Sequence, residues 1–142
     1  MSKTQSGQSP GRPLVVLVAD EEPGIRELLH DYLSEMDIHT LGASDGAETL
    51  LLLKQHSVDI VLIDLDLPNG TAAEVFAQAI ARKPELRKRF IFMGAASTPL
   101  SQTEHGCPLI SKPFRLEDLT RTILSLCAQG SAHAQSLSNG AS

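Results

Sequence analysis

Long apolar runs and dense basic clusters are both missing from this sequence. No apolar segment approaches the roughly 18 residues that cross a bilayer, and residues 1–13 are polar, without the apolar core of a signal peptide. The net charge is −5, and no cluster of lysine and arginine with interleaved aromatic residues is present to bind a phosphate backbone. We therefore expect a cytoplasmic protein that contacts neither a membrane nor nucleic acid directly.

Cysteine is scarce as well. Cys107 and Cys127 lack the short spacing of a metal-binding or redox pair, and two thiols in an intracellular chain are normally reduced. The five histidines are scattered without the spacing of metal ligands. The sequence therefore predicts neither a structural disulfide nor a histidine-based metal site.

The apolar content is sufficient for one hydrophobic core and too small for two, at 42% of 142 residues. Residues 1–12 are rich in serine, glutamine, glycine and proline, and residues 129–142 in serine, alanine, glycine and glutamine. Neither end can bury enough surface to offset its ordering entropy, so both are predicted to be flexible tails. One domain is expected between residues 13 and 128.

Within this domain, short apolar runs alternate with helical periods. Continuous apolar runs are typical of strands buried on both faces, whereas apolar residues at intervals of three and four indicate amphipathic helices. Strands are predicted at residues 14–19, 39–43, 60–63, 90–93 and 109–110, and helices at about 23–36, 45–53, 71–82 and 116–126. Residues 95–106 contain two helix breakers, so a further helix there is expected to be short or irregular. The alternation predicts an α/β fold, a doubly wound parallel sheet with helices on both faces.

Polar residues follow three of the predicted strands at the point where each strand ends. Asp20 and Glu21 follow the first strand, Asp64 follows the third, and Lys112 follows the last. One aspartate after a strand is more often a helix cap than a catalyst. Because the carboxyl ends of parallel strands form one edge, where ligands bind near the switch in strand order, three coincident strand ends favour a functional site.

A cluster of carboxylates at that edge requires a counter-ion. Two carboxylates roughly 4 Å apart repel by about 4 kcal/mol at an effective dielectric constant near 20. The candidates Asp20, Glu21 and Asp64 offer only oxygen atoms, and no histidine or cysteine lies close to them in sequence. Such a set favours magnesium over zinc.

Three stretches of the sequence resemble the motifs of the receiver domains of two-component response regulators. They are Leu-Val-Ala-Asp-Glu-Glu-Pro at residues 17–23, Val-Leu-Ile-Asp-Leu-Asp-Leu-Pro at 61–68 and Ser-Lys-Pro-Phe at 111–114. Their order and spacing match that family over nearly all of residues 13–128. The resemblance implies a flavodoxin-like five-stranded sheet with strand order 2-1-3-4-5.

The resemblance also implies a role for each residue of the acidic edge. Asp64 would be the nucleophile that accepts a phosphoryl group from a histidine kinase or a histidine phosphotransfer protein, forming an aspartyl phosphate. Asp20, Glu21, Asp64 and the backbone carbonyl of Asp66 would hold Mg²⁺, and Lys112 would pair with the phosphoryl oxygens. Such a phosphorelay protein is a signalling domain and not an enzyme, since it catalyses only its own phosphorylation and dephosphorylation. The formation of a homodimer is compatible with the sequence.

Two positions depart from the pattern of the family. Gly94 stands thirty residues after Asp64, where the family usually has a switching serine or threonine, and Leu109 stands where it prefers an aromatic residue. The backbone N–H of Ala95 and the ammonium of Lys112 are still expected to bind the phosphoryl oxygens. We therefore predict a domain that accepts phosphate and responds with a smaller or differently placed structural change.

Two alternative functions are also consistent with parts of the sequence. A pseudo-receiver, which binds proteins without ever taking a phosphoryl group, is slightly favoured by Gly94 and Leu109. Asp64-Leu65-Asp66 after an apolar strand also resembles the nucleophile motif of haloacid-dehalogenase phosphatases. That motif, however, has threonine or valine where Pro68 stands, and the chain is too short for the cap and the acidic pair such enzymes require.

Overall fold

Apolar sequence runs form the strands of one sheet. The computed structural model describes residues 13–94 and 103–139, and it describes the side chains of residues 13–94 and 105–128. The strands are β1 (Val15–Ala19), β2 (His39–Ala43), β3 (Ile60–Asp64), β4 (Phe90–Gly94), β5 (Thr103–Glu104) and β6 (Cys107–Ser111). The helices are α1 (Pro23–Ser34), α2 (Gly46–Gln55), α3 (Ala72–Arg82) and α4 (Leu116–Asn139), with a short 3₁₀ helix at Pro84–Lys88.

The sheet has the order β2-β1-β3-β4-β6-β5. The first five strands of that order pair in parallel, and only the two-residue strand β5 pairs with β6 in the antiparallel direction. With β6 as the fifth strand of the prediction, the parallel sheet and its order 2-1-3-4-5 are confirmed. The antiparallel edge strand is an addition that the sequence analysis did not predict.

Each face of the sheet carries its own hydrophobic core. Leu17 and Ala19 of β1 point to one face, where they pack in a cluster with residues of α2 and α3. Val16 and Val18 point to the other, where the cluster includes residues of α1 and α4. Successive strand residues face opposite sides, so a strand covered on both sides needs apolar residues throughout.

The apolar residues in the predicted ranges of the first two helices are only partly buried. Leu29 and Leu33 of α1 are fully buried, but Leu28 is 46% exposed, and Met36 lies beyond the end of the helix. In α2, Leu53 is buried whereas Leu51 is 50% exposed. Consecutive residues of a helix are turned by about 100° from one another, so a run of four leucines cannot face the core as a whole.

The segment expected to hold a short or irregular helix lies mostly outside the described residues. Its last part, residues 103–106, forms β5 and a tight turn into β6. His105 and Gly106 occupy the two turn positions with φ of 55° and 81°. Two central residues with positive φ are typical of the hairpin turns that match the twist of a sheet.

The last helix continues past the expected end of the domain. Helix α4 runs to Asn139, so most of the stretch that was predicted to be a flexible tail has a helical backbone. Residues 129–139 include alanine, glutamine and leucine, which favour helices, and contain no proline. In the described ranges, no helix has both the length and the apolar character of a membrane span.

Helix α2 begins with a side-chain cap that also anchors a neighbouring loop. Asp45 accepts a hydrogen bond of 2.8 Å from the backbone N–H of Glu48 and one of 3.1 Å from Nδ2 of Asn69, in the loop between β3 and α3. The hydrogen bond from Glu48, followed by that from Asn69, lowers the pKa of Asp45 below its ordinary value. The ionised carboxylate is therefore the form that the fold prefers.

We predict that Asp45→Asn lowers the free energy of unfolding at pH 7 and leaves it nearly unchanged at strongly acidic pH. A group whose pKa is depressed on folding contributes stability above its unfolded pKa, and this stability is lost as the pH falls through the folded pKa. Asparagine is a comparable helix cap, so the substitution removes mainly the charge. Urea unfolding at both pH values measures the effect, with Asp31→Asn on the exposed side of α1 as the control. An equal loss at both pH values would contradict the prediction.

Candidate functional site

The three predicted strand-end groups lie together at the carboxyl edge of the sheet. Asp20 directly follows β1, Asp64 ends β3, and Lys112 directly follows β6. Asp20 is fully buried and Asp64 is 9% exposed. The chain passes from β1 to the edge strand β2 and then back to β3, so the two aspartates flank the point where the strand order reverses.

Lys112 provides the positive charge between the two carboxylates. Its Nζ donates to Oδ2 of Asp20 at 2.7 Å and to Oδ2 of Asp64 at 3.4 Å. Burial disfavours the ammonium, but the hydrogen bond to Asp20 and the charges of Asp20 and Asp64 outweigh it and raise the pKa of Lys112. The lysine is therefore a protonated counter-ion, a role that the sequence analysis gave to magnesium alone.

Backbone amides orient the other oxygen of each carboxylate. The N–H of Glu22 donates to Oδ1 of Asp20 at 2.9 Å, and the N–H of Asp66 donates to Oδ1 of Asp64 at 3.0 Å. Aspartate side chains commonly accept a hydrogen bond from the amide two residues on. Each carboxylate is thus held between its own loop and the lysine.

The side chains of Glu21 and Asp66 lie at the rim of the same site. Both are exposed, and both line an open cleft of about 910 Å³ together with Asp64 and Lys112. Its other walls are mainly apolar: Pro23, Ile25, Leu28, Pro113 and Phe114. The peptide bond between Lys112 and Pro113 is cis.

The donor atoms at this site are all oxygen. Within the described residues, no three side chains of histidine, cysteine, aspartate or glutamate are grouped so as to hold a metal ion. Asp64 lines the cleft, and buried Asp20 lies behind it and contacts the same lysine. Glu21 and the carbonyl of Asp66 are close to them in sequence. Oxygen ligands with space for water are what Mg²⁺ prefers, so the chemistry of this set fits an open magnesium site that Lys112 also neutralises.

The two unusual positions lie next to the acidic edge. Gly94 ends β4, is buried, and its carbonyl accepts a hydrogen bond of 2.7 Å from the N–H of Lys112. Leu109 of β6 pairs with Phe92 and packs partly buried against the core beneath α3. Ala95, the predicted donor to phosphoryl oxygens, lies outside the described residues.

Sequence reasoning missed a glycine that supports the loop after β3. The first amides of α2 donate to this loop, from Gly46 to the carbonyl of Pro68 at 2.9 Å and from Ala47 to that of Asn69 at 3.1 Å. A Cβ atom on Gly46 would lie 2.3 Å from the carbonyl oxygen of Gly70, so only glycine allows this approach. No sequence signal marked this residue, because glycine is well tolerated at the start of a helix.

Removing the lysine should destabilise the metal-free protein. We predict that Lys112→Met lowers the free energy of unfolding in EDTA by about 1.5–3 kcal/mol, the usual contribution of a hydrogen bond to a charged group, because buried Asp20 loses its partner. Asp64→Asn should leave stability equal or higher, since it removes one of two like charges and keeps the bond between Lys112 and Asp20. Lys88→Met, an exposed lysine, is the control. Wild-type stability of Lys112→Met would argue against this ion pair.

Comparisons with known proteins agree on one family. The sequence model described as response regulator receiver domain matches residues 16–124. The response regulator receiver protein CpdR of Brucella abortus is 27% identical over 110 residues, which cover 76% of this chain and 92% of CpdR. The sensor histidine kinase RcsC of Escherichia coli is 26% identical over 129 residues, which cover 87% of this chain but only 13% of RcsC. This chain therefore corresponds to a small part of that kinase.

The fold of the chain is also similar to that of solved receiver structures. The response regulator TrrA of Thermotoga maritima, in complex with Mg²⁺ and BeF, superposes with a TM-score of 0.68 at 24% identity and covers 80% of this chain and 98% of TrrA. The family model, the relatives and the strand order all identify the same family. This chain belongs to the response regulator receiver domain family and is a receiver domain of two-component signal transduction.

Proposed function

We propose that this receiver domain accepts a phosphoryl group on Asp64 in a reaction that depends on Mg²⁺. The observation that carries the proposal is the position of Lys112, whose ammonium contacts the carboxylates of both Asp20 and Asp64. A cation at that place can neutralise the charge that phosphoryl transfer spreads over the equatorial oxygens.

Asp64 is the carboxylate best suited to be the nucleophile. It is slightly accessible and lines the cleft, whereas Asp20 is fully buried and makes the shorter contact with Lys112. In the transfer, a carboxylate oxygen of Asp64 forms a bond to phosphorus while the bond between phosphorus and the donor's imidazole nitrogen breaks. The imidazole leaves with the electron pair, and an acyl phosphate remains on the domain.

Asp20, Asp64, the carbonyl of Asp66 and the exposed carboxylate of Glu21 are the groups that would hold the metal ion. Magnesium bound there would polarise the phosphoryl oxygens and offset their negative charge. The complex of TrrA with Mg²⁺ and BeF supports this assignment for a protein of the same fold. The protein groups contribute by holding the acceptor oxygen in place through the N–H of Asp66 and by keeping Lys112 at the cleft.

A histidine kinase or a histidine phosphotransfer protein is the proposed donor. The likeness to RcsC, a sensor histidine kinase, and to CpdR, a receiver protein, supports a partner of this class. Because the phosphoryl group of a phosphohistidine comes from ATP, the proposal also locates the reaction in the cytoplasm. The domain would act as a signalling phosphoprotein whose only catalysis is its own phosphorylation and dephosphorylation.

We predict that Asp64→Asn abolishes phosphorylation from acetyl phosphate or a cognate kinase while the fold persists. Asp66→Asn should keep most of the incorporation, because the proposal uses only the backbone carbonyl of that residue and its side chain is exposed. Quantifying the acyl phosphate by mass spectrometry in both variants distinguishes the two neighbouring carboxylates. Wild-type incorporation by Asp64→Asn would disprove the assignment, and sustained turnover of phosphate esters would favour a phosphatase.

The response to phosphorylation should be small because Gly94 has no hydroxyl to bind the new phosphoryl group. A hydrogen bond to a charged group contributes about 1.5–3 kcal/mol, whereas shifting a two-state equilibrium from 1:99 to 99:1 requires about 5.5 kcal/mol. We therefore predict that Gly94→Thr increases the amide chemical-shift changes that beryllofluoride causes in β4 and in the segment that follows it in sequence. Equal responses in wild type and variant would contradict this, and no response in wild type would favour a pseudo-receiver.

A further inference from the structure

An arginine on α1 binds the backbone of the loop that carries the two acidic metal ligands of the proposed function. Nη1 of Arg26 donates to the carbonyl oxygen of Asp20 at 2.6 Å and to that of Glu21 at 3.2 Å. In the described parts of the chain, Arg26 forms no ion pair, and its guanidinium hydrogen bonds go to these two carbonyls. Among the described residues, the side chain of Arg26 therefore binds the backbone of the loop and not another side chain.

The other polar atoms of this loop are bound as well. The backbone N–H of Asp20 donates to the carbonyl of Ala43 on β2 at 3.0 Å, and the N–H of Glu22 donates to Oδ1 of Asp20 at 2.9 Å. The carbonyl of Glu22 accepts the first hydrogen bonds of α1, at 3.1 Å from Ile25 and 3.3 Å from Arg26. The carbonyls of Asp20 and Glu21 are the acceptors that the helix does not satisfy, and Arg26 supplies their donor.

A glycine on the edge strand lies against the stem of this arginine. A Cβ atom built on Gly42 of β2 would lie 3.4 Å from Cδ and 3.8 Å from Nε of Arg26. Glycine inside a strand weakens the strand and often marks the close approach of another group. Here that group is the stem of Arg26, which crosses Gly42 on its way from α1 to the loop.

We propose that Arg26 is a positioning residue for the acidic loop and that a residue no larger than alanine at position 42 leaves room for its side chain. By binding both carbonyls before any ligand arrives, Arg26 holds the backbone in the conformation that places the Asp20 carboxylate against Lys112 and the Glu21 side chain at the cleft. A loop that is ordered before Mg²⁺ binds loses less conformational entropy when the ion binds. The consequence for magnesium depends on the proposed function, but the ordering of the metal-free loop does not.

The charge of Arg26 and its positioning role have opposite effects on the metal ion. A positive charge near the carboxylates repels Mg²⁺, so its removal alone would tighten magnesium binding. Loss of the two hydrogen bonds would loosen the loop and weaken binding. The sign of the change in Arg26→Met therefore distinguishes the two roles. Arg26→Lys keeps the charge but not the planar fork of donors, so it should give an intermediate result.

The experiment compares Arg26→Met, Arg26→Lys and Gly42→Val in the full chain. In Gly42→Val, the branched side chain would occupy the path of the arginine while every residue of the loop stays unchanged. Arg121→Met removes the same charge from the exposed side of α4, and Gly42→Ala adds a methyl group at ordinary contact distance. Both should behave like wild type.

Two readouts are taken for every variant. In EDTA, the heteronuclear NOE of the Glu21 and Glu22 amides should fall in Arg26→Met and Gly42→Val, while thermal melting shows the domain folded. In a magnesium titration followed by amide shifts, both variants should bind about tenfold more weakly, which corresponds to ~1.4 kcal/mol.

Unchanged NOE values in Arg26→Met and Gly42→Val, or tighter magnesium binding by Arg26→Met, would overturn the proposal. If Arg26→Met does not fold, Arg26→Lys and Gly42→Val decide the question by the same readouts. If wild type binds no magnesium, the proposed function fails, and the NOE values in EDTA still test the positioning role by themselves.

Discussion

The site depends on one requirement, the neutralisation of two aspartates that the parallel sheet brings to the same edge. Asp20 is fully buried and Asp64 nearly so, and their charges would repel each other strongly without a cation between them. Lys112 meets this requirement from a strand far along the chain. Because the lysine offsets part of the negative charge of the metal-free site, a metal ion and a phosphoryl group can enter a cleft that is already organised.

The arrangement of the surrounding loops follows from that requirement. A carboxylate holds its direction only if the backbone beneath it is fixed, and each loop is fixed by donors from a neighbouring element. The loop after β3 receives the first amides of α2, which approach through the space at Gly46. The loop after β1 receives the guanidinium of Arg26, which passes over Gly42. Gly46 thus allows one support of the acidic edge to come close, and the stem of the other support lies against Gly42.

At β5 and β6, the outer side of the sheet departs from the regular alternation of strand and helix. A hairpin adds the short antiparallel strand β5 beside β6, and the ring of His105 in its turn stacks on Phe76 of α3 at a centroid distance of 5.0 Å. Leu109, next to these rings, packs into the core beneath α3. In the proposed function, the domain lacks both a hydroxyl at Gly94, which lies beside Lys112 at the acidic edge, and an aromatic ring at residue 109. Any signal would therefore have to leave the acidic site through other contacts.

The amino-acid sequence by itself determined the parallel sheet, because continuous apolar runs are typical of strands covered on both faces, and it indicated the residues that gather at the edge of the sheet. The strand order followed from the resemblance of three motifs to the receiver domains of response regulators. The exposure of Leu28 and Leu51 was decided by packing, and the end of α4 at Asn139 lies beyond the boundary that the composition of the tail predicted. The tertiary structure alone decided that Lys112 pairs with Asp20 more closely than with Asp64, and that Arg26 and Gly46 support the loops. These are contacts between groups distant in the chain or between a side chain and a backbone carbonyl. The spacing of apolar residues along the sequence does not reveal such contacts, since they form only when the helices and strands pack together.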